Sequence, residues 1–260
     1  MLKIFTYTLY DLLRSRWSLL YFGFYLMFCG ALLLISGDLS KVIISSMNVV
    51  LILCPLIATL FGAMYFYNSR EFILLLLAQP VKRQQIFLGL YLGVALSLSL
   101  SLVLGLGLPF LFYGITVSGE IWNFFSLILN GCILSFIFSG LAILIALRYE
   151  HKIKGFGLAI LMWLFFAVIY DGLFLLLLMA FKDYPLESTA LGLSLFNPID
   201  LSRILILLQL DISALMGYTG AVFEKFLGTG IGMLSAGLML GLWVIIPAWA
   251  IKRLSLRKDF

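Results

Sequence analysis

The sequence predicts an all-α integral membrane protein, and three observations predict it. Charged residues make up 11% of the 260-residue chain and hydrophobic ones 63%, whereas a water-soluble domain carries about 25% charged residues. Six apolar runs reach the ~20 residues that a helix needs to cross the hydrocarbon core. Lysine and arginine fall between those runs in a lopsided, alternating pattern. The chain reads as one membrane domain over residues 1–260.

Residues 1–16 carry Leu2, Phe5, Leu9, Leu12 and Leu13 at helical spacing, with Lys3, Arg14 and Arg16 elsewhere. That pattern predicts an amphipathic helix lying in the membrane interface, or else a simple polar leader to the first span. The apolar run that follows is longer than the roughly 7–15 residues of a cleaved signal core. Met27 and Phe28, just before Cys29, are too bulky for lipoprotein cleavage, so the run reads as a retained span. The six spans are expected at about Trp17–Ser36, Met47–Tyr67, Ile86–Tyr113, Trp122–Leu147, Phe156–Phe181 and Thr229–Ile251. Trp17, Trp122 and Trp249 stand at or near run ends, where aromatic belts form.

Of the 17 lysines and arginines, only Lys41, Lys182, Arg203 and Lys225 fall on one side of this topology. The excess on the other side marks it as cytoplasmic. Both termini are therefore expected in the cytoplasm, with the chain multi-pass. The turns Gly37–Ser46 and Ser118–Ile121 and the long segment Lys182–Gly228 are expected outside.

The formal charge of +5 does not point to nucleic acid, because the cations sit at span ends rather than on an exposed basic face. Cys29, Cys54 and Cys132 stand singly in apolar runs, with no CxxC pair, and say nothing about redox compartment. His151 alone makes no metal site. The chain lacks a GxxxxGK[ST] phosphate loop and an HExxH motif. No catalytic or metal site is expected in it, and no cofactor.

The first cytoplasmic connection reads NSREFILLLLAQPVKRQQ. Asn68 and Glu71 have capping-box spacing, Phe72–Ala78 is a short apolar helical piece, and Gln79-Pro80 stops it. Lys82 and Arg83 open the next span at the headgroups. The candidate coupling residues are Asn68, Arg70, Glu71, Leu74, Leu75, Ala78, Gln79, Pro80, Lys82 and Arg83. They form either a lever for a soluble partner or a membrane-skimming turn.

Within the third span, Gly89, Gly93, Ser97, Ser101 and Gly105 recur every four residues. Such a ridge lets helices approach closely, within the subunit or at a seam between subunits. Asp171, preceded by Tyr170, is the only ionisable residue well inside a span. A central acid costs about 2.5–3.5 kcal/mol on insertion scales and should face protein or water. It is either a substrate or proton contact or a structural hydrogen bond to a neighbouring helix. No basic partner accompanies it in the spans, which is too little for a proton relay.

In the long outer segment, Asn197, Pro198 and Asp200 form a helix start: cap, first-position proline and first-turn acid. The helix runs to about Gln209, roughly 20 Å, short of the ~30 Å core. It lies on the outer surface or dips between spans. Asp211 is placed to cap a second short helix, and Gly217 and Gly220 bracket Tyr218-Thr219 at a bend. Met216 reads as packing rather than as a metal contact. Asn197, Pro198, Asp200, Arg203, Asp211, Met216, Gly217, Tyr218 and Thr219 form a candidate platform for an outer partner.

Two stretches carry a family resemblance. Glu71–Gly89, EFILLLLAQPVKRQQIFLG, resembles the cytoplasmic-helix signature of ABC-2 exporter permeases (the type V exporter fold), although Leu90 stands where many members carry lysine. Asn197-Pro198-Ile199-Asp200, Arg203, Asp211 and Ala214–Phe223, ALMGYTGAVF, resemble the NosY-type permeases of nitrous oxide reductase maturation. Chain length, Arg14-Ser15-Arg16-Trp17 and Tyr170-Asp171 fit the same family. The resemblance implies a homodimer on two cytoplasmic ABC ATPase subunits that bind ATP and Mg, with a periplasmic solenoid protein outside. It further implies a role in assembling the copper–sulfur centre of nitrous oxide reductase, by exporting a sulfur species or by transmitting mechanical work. The alternatives are a general exporter of drug, lipid or polysaccharide, an ATP-independent channel or carrier, and a membrane scaffold.

Overall fold

A computed structural model describes residues 2–181, 192–210 and 230–257. The described residues are mostly helical, with no strand among them. In chain order the helices are α1 (Leu2–Leu13), α2 (Arg16–Ser36), α3 (Leu39–Asn68), α4 (Arg70–Leu77), α5 (Arg83–Phe112), α6 (Ile121–Arg148), α7 (Lys152–Leu164), α8 (Tyr170–Ala180), α9 (Pro198–Gln209) and α10 (Gly230–Arg257). A π-helical turn, Phe165–Ile169, joins α7 to α8. Six segments are long and apolar enough to cross a membrane: α2, α3, α5, α6, α7 running on into α8, and α10. One end of the bundle, here basal, carries α1, α4 and the end of α10. The distal end carries the α2–α3 and α5–α6 turns.

Polar residues cut the chain into these helices. The Ser15 side chain caps α2 by accepting from Ser18 N at 3.2 Å. Gly37 ends α2 in the left-handed conformation, φ 63°, with its N–H donating to Leu33 O. That is a position glycine fills without steric cost. Asp38 then caps α3 through Ser40 N at 3.1 Å. The turn expected over Gly37–Ser46 is thus only Gly37 and Asp38, because stop and start signals are adjacent.

The most buried span is α5, and the four-residue ridge is why. A side chain at Gly93 would meet the Thr8 methyl at 2.5 Å, and one at Gly105 would meet Phe22 O and Tyr25 Cβ at 2.9 Å. Ser101 Oγ and Ser18 Oγ share a hydrogen bond of 2.8 Å. These ridge residues therefore seat α1 and α2 against α5 inside one subunit. This seating also shifts the buried face of α1. Its buried stripe is Ile4, Thr8 and Leu12, while Phe5, Leu9 and Leu13 are half-buried and Leu2 is exposed. Thr8 fills the notch at Gly93, so a polar residue lies on the buried face and hydrophobicity alone misplaces it.

The remaining spans wrap this centre. Helices α3 and α6 pair along their length, with Cys54 Sγ donating to Gly131 O at 3.1 Å. The fifth span is peripheral: α7 buries only Gly155 and Ala159.

The same substitution should have opposite effects at two glycines. Gly105→Ala pushes a methyl into backbone and should lower the thermal midpoint in detergent, with about 1–3 kcal/mol of overpacking. Gly30→Ala in α2 meets nothing within 4 Å. It should raise the midpoint modestly, by the ~1 kcal/mol of helix propensity.

Candidate functional site

Chemistry-bearing residues gather at two places, one at each end of the bundle. At the basal end, α3 runs on through Asn68, and the chain turns only at Ser69, which precedes α4 without a side-chain capping bond. The expected Asn68–Glu71 capping box is therefore not formed. Asn68 is still helical, and its side-chain oxygen accepts from Lys152 Nζ at 3.0 Å. Glu71 in the first turn of α4 still favours the positive end of the helix dipole.

The short helix expected over Phe72–Ala78 occupies Arg70–Leu77, and Ala78, Gln79 and Pro80 form the stop after it. It buries Ile73 against the bundle and exposes Glu71, Leu74, Leu75, Ala78, Gln79 and Pro80. Leu75 is 67% exposed. Lys82 and Arg83, also exposed, open α5. Arg70 reaches Glu150 at 3.9 Å beyond the end of α6, a surface pair of small energetic weight. The Tyr7 ring of α1 packs on the Phe72 ring at 4.9 Å. Tyr65 OH donates to Asp11 at 3.2 Å. Helix α4 is thus braced by α1, α3 and the end of α6, with leucines presented outward among charges. Leu90 is buried in α5.

At the distal end, α9 dips between spans rather than lying on the surface. Pro198, Ile199, Asp200, Leu201, Ser202, Ile204, Ile206, Leu207 and Leu208 are all buried. Its deep end meets the middle of two spans. Trp243 Nε1, midway along α10, donates to Leu195 O at 3.2 Å. Phe166, in the π-turn at the middle of the fifth span, accepts from Asn197 Nδ2 at 2.9 Å. Its other end returns to the distal rim, where Gln209 Nε2 donates to Trp122 O at 3.2 Å. This path makes α9 a re-entrant half-helix.

Asn197 is fully buried and uses its whole amide. Its Oδ1 accepts from Ile199 N at 3.1 Å, capping α9. Its Nδ2 donates to Phe166 O and, at 2.6 Å, to Asp200 Oδ2. In the π-turn, Tyr170 N reaches back five residues to Phe165 O. The wider turn presents the Phe166 carbonyl to α9, as π-bulges commonly do at functional sites. Tyr170 OH donates to Leu193 O at 2.6 Å.

Beside this knot, Asp171 has a basic partner after all. Arg203 Nη1 donates to Asp171 Oδ2 at 2.9 Å and to Asp200 Oδ1 at 3.0 Å. The pairing was hidden because Arg203 lies outside the spans in sequence and enters only with α9. Burial, followed by the Asp171 carboxylate, pushes the Asp200 pKa up to about 7; Arg203 opposes the rise. Arg203 and Asp171 keep 29% and 34% of their side-chain surface exposed. Ionised groups at this depth face protein or water rather than lipid. Asp211, Met216, Gly217, Tyr218 and Thr219 lie outside the described residues. Among the described residues, no three of His, Cys, Asp and Glu come together to hold a metal.

No protein-family model matches the chain. It is 30% identical over 209 residues to the probable ABC transporter permease protein NosY of Stutzerimonas stutzeri, covering 76% of this chain and 71% of that protein. The chain belongs to the NosY-type family of ABC transporter permeases. It is an all-α, multi-pass permease subunit of an ABC transporter.

Two outcomes test the distal knot. Asn197→Ala removes the cap and strands Phe166 O and Asp200, a loss of about 2–4 kcal/mol in unfolding free energy. Asn197→Asp, which keeps the cap acceptor but removes the donor, should not rescue it. The pH dependence has a definite sign. Asp200 ionises at its ordinary 3.8 when unfolded and near 7 when folded, so the folded state holds the extra proton between those values. Its contribution to stability therefore falls as pH rises from about 4 to about 7 and is level above. Asp200→Asn should remove that slope from the unfolding curve.

Proposed function

We propose that this permease couples ATP hydrolysis in cytoplasmic ABC ATPase subunits to motion at the distal face, in support of copper–sulfur centre assembly in nitrous oxide reductase. The observation that carries the reading is α4: a braced helix at the basal end that presents Leu74 and Leu75 outward beside Glu71. Exposed leucines among charges at the mouth of a membrane bundle suit a docking ridge for a soluble partner. ATP and Mg would bind in that partner.

The excess of lysine and arginine at the basal end supports placing both termini in the cytoplasm and the bundle in the bacterial inner membrane. In this reading the subunit works as a homodimer, and ATP-driven closure of the ATPases pushes on α4. The spans rock, and α9 moves because it is tied to the fifth span and to α10. The periplasmic solenoid partner would meet the distal rim, where α9 ends at Gln209 beside Trp122. The name of the S. stutzeri relative and the resemblance of the outer motif together favour a maturation system over a general exporter. Either export of a sulfur species or transmission of work to the outer partner would use the same lever.

Glu71→Ala or Leu75→Glu should reduce co-purification with the ATPase several-fold and abolish stimulation of its hydrolysis, leaving membrane insertion unchanged. Unchanged co-purification and hydrolysis would contradict the lever. Deletion of the gene should leave nitrous oxide reductase without its copper–sulfur absorption bands, whereas a general exporter would leave them intact.

A further inference from the structure

We propose that the tie between α9 and the fifth span is a proton-operated latch: protonation of Asp200 frees Arg203 for Asp171 and holds α9 in, and deprotonation loosens it.

The three charges are divided between two helices. Asp200 and Arg203 are on α9, three residues apart; Asp171 is on α8. One guanidinium nitrogen serves both carboxyls, at 2.9 and 3.0 Å. With Asp200 neutral, α9 presents one positive charge to one negative charge on α8. With Asp200 ionised, Arg203 is shared with a carboxylate on its own helix, and that carboxylate repels Asp171. The cross-helix attraction therefore weakens on deprotonation, and in this partly desolvated place it is only partly screened.

Among the described residues, the switch falls to these groups. Asn197 donates to Asp200 Oδ2, while the Tyr170 hydroxyl, also near Asp200, is directed to Leu193 O. Among the described residues, α3, α6 and α10 pack on α9 but carry their charges only near their ends, at Lys41, Arg148, Lys252, Arg253 and Arg257. The raised affinity of Asp200 for its proton, set first by burial and then by Asp171, places the switch near neutral pH. The exposed third of Arg203 and Asp171 supplies a route for proton exchange.

The test is hydrogen–deuterium exchange of peptides covering residues 198–209 in the full-length permease in lipid nanodiscs. Rates at pH 5.5 and 8.5 are corrected for intrinsic exchange. The wild type should exchange several-fold faster at pH 8.5. Asp200→Asn should stay slow at both pH values, and Asp171→Asn should be fast at both, since its cross-helix partner is gone. Equal corrected rates in the wild type, or a wild-type pH step retained in Asp200→Asn, would overturn the latch. If Asp200→Asn does not fold, the wild-type pH step and its absence in Asp171→Asn decide the question.

Discussion

A polar group within a bilayer has to find its partner in protein, because lipid offers none. That constraint is sharpest where α9 enters. Its helical start brings free backbone N–H groups, a carboxyl and a guanidinium to the middle of the bundle. Asn197 and Arg203 answer it, the first by spending its whole amide on Ile199 N, Phe166 O and Asp200, the second by bridging Asp200 to Asp171. Without those two side chains, a buried α9 would be an unsatisfied helix end in an apolar medium. With them, it becomes a fixed part of the membrane domain and ties the fifth span to α10.

Close packing, with a few hydrogen bonds between helices, joins the two ends of the bundle. Thr8 of α1 sits in the notch of Gly93 on α5, and α1 in turn stacks Tyr7 on Phe72 of α4. Helix α6 packs on α3 and α5 and reaches α9 at the distal rim through Trp122. Since packed helices shift as units rather than deform, displacement of α4 has a direct mechanical path to α9.

Much of the fold was legible in the sequence because lipid enforces it. Spans must be long and apolar, their ends must be charged or aromatic, and Gly37, Pro80 and Asn197 carry their usual backbone meanings. Asn197 was readable as a cap but not as a donor to Phe166, since a π-turn at Phe165–Ile169 has no sequence signature. Length placed α9 short of a span, yet length alone does not separate a surface helix from a re-entrant one. Asp171 looked partnerless for the same reason: Arg203 is 32 residues away and becomes a neighbour only through that re-entry. At the basal end, capping-box spacing misplaced the start of α4, because α3 stays helical one residue longer than the local pattern requires.

Helix α9 is held in the membrane domain by a charge pair across to α8. A double-mutant cycle on Asp171→Asn and Arg203→Gln, read as unfolding free energy of the solubilised permease, measures that link directly. A favourable coupling of about 1–2 kcal/mol is expected at pH 6, allowing for the pair's partial exposure. Strict additivity of the two single variants would contradict it.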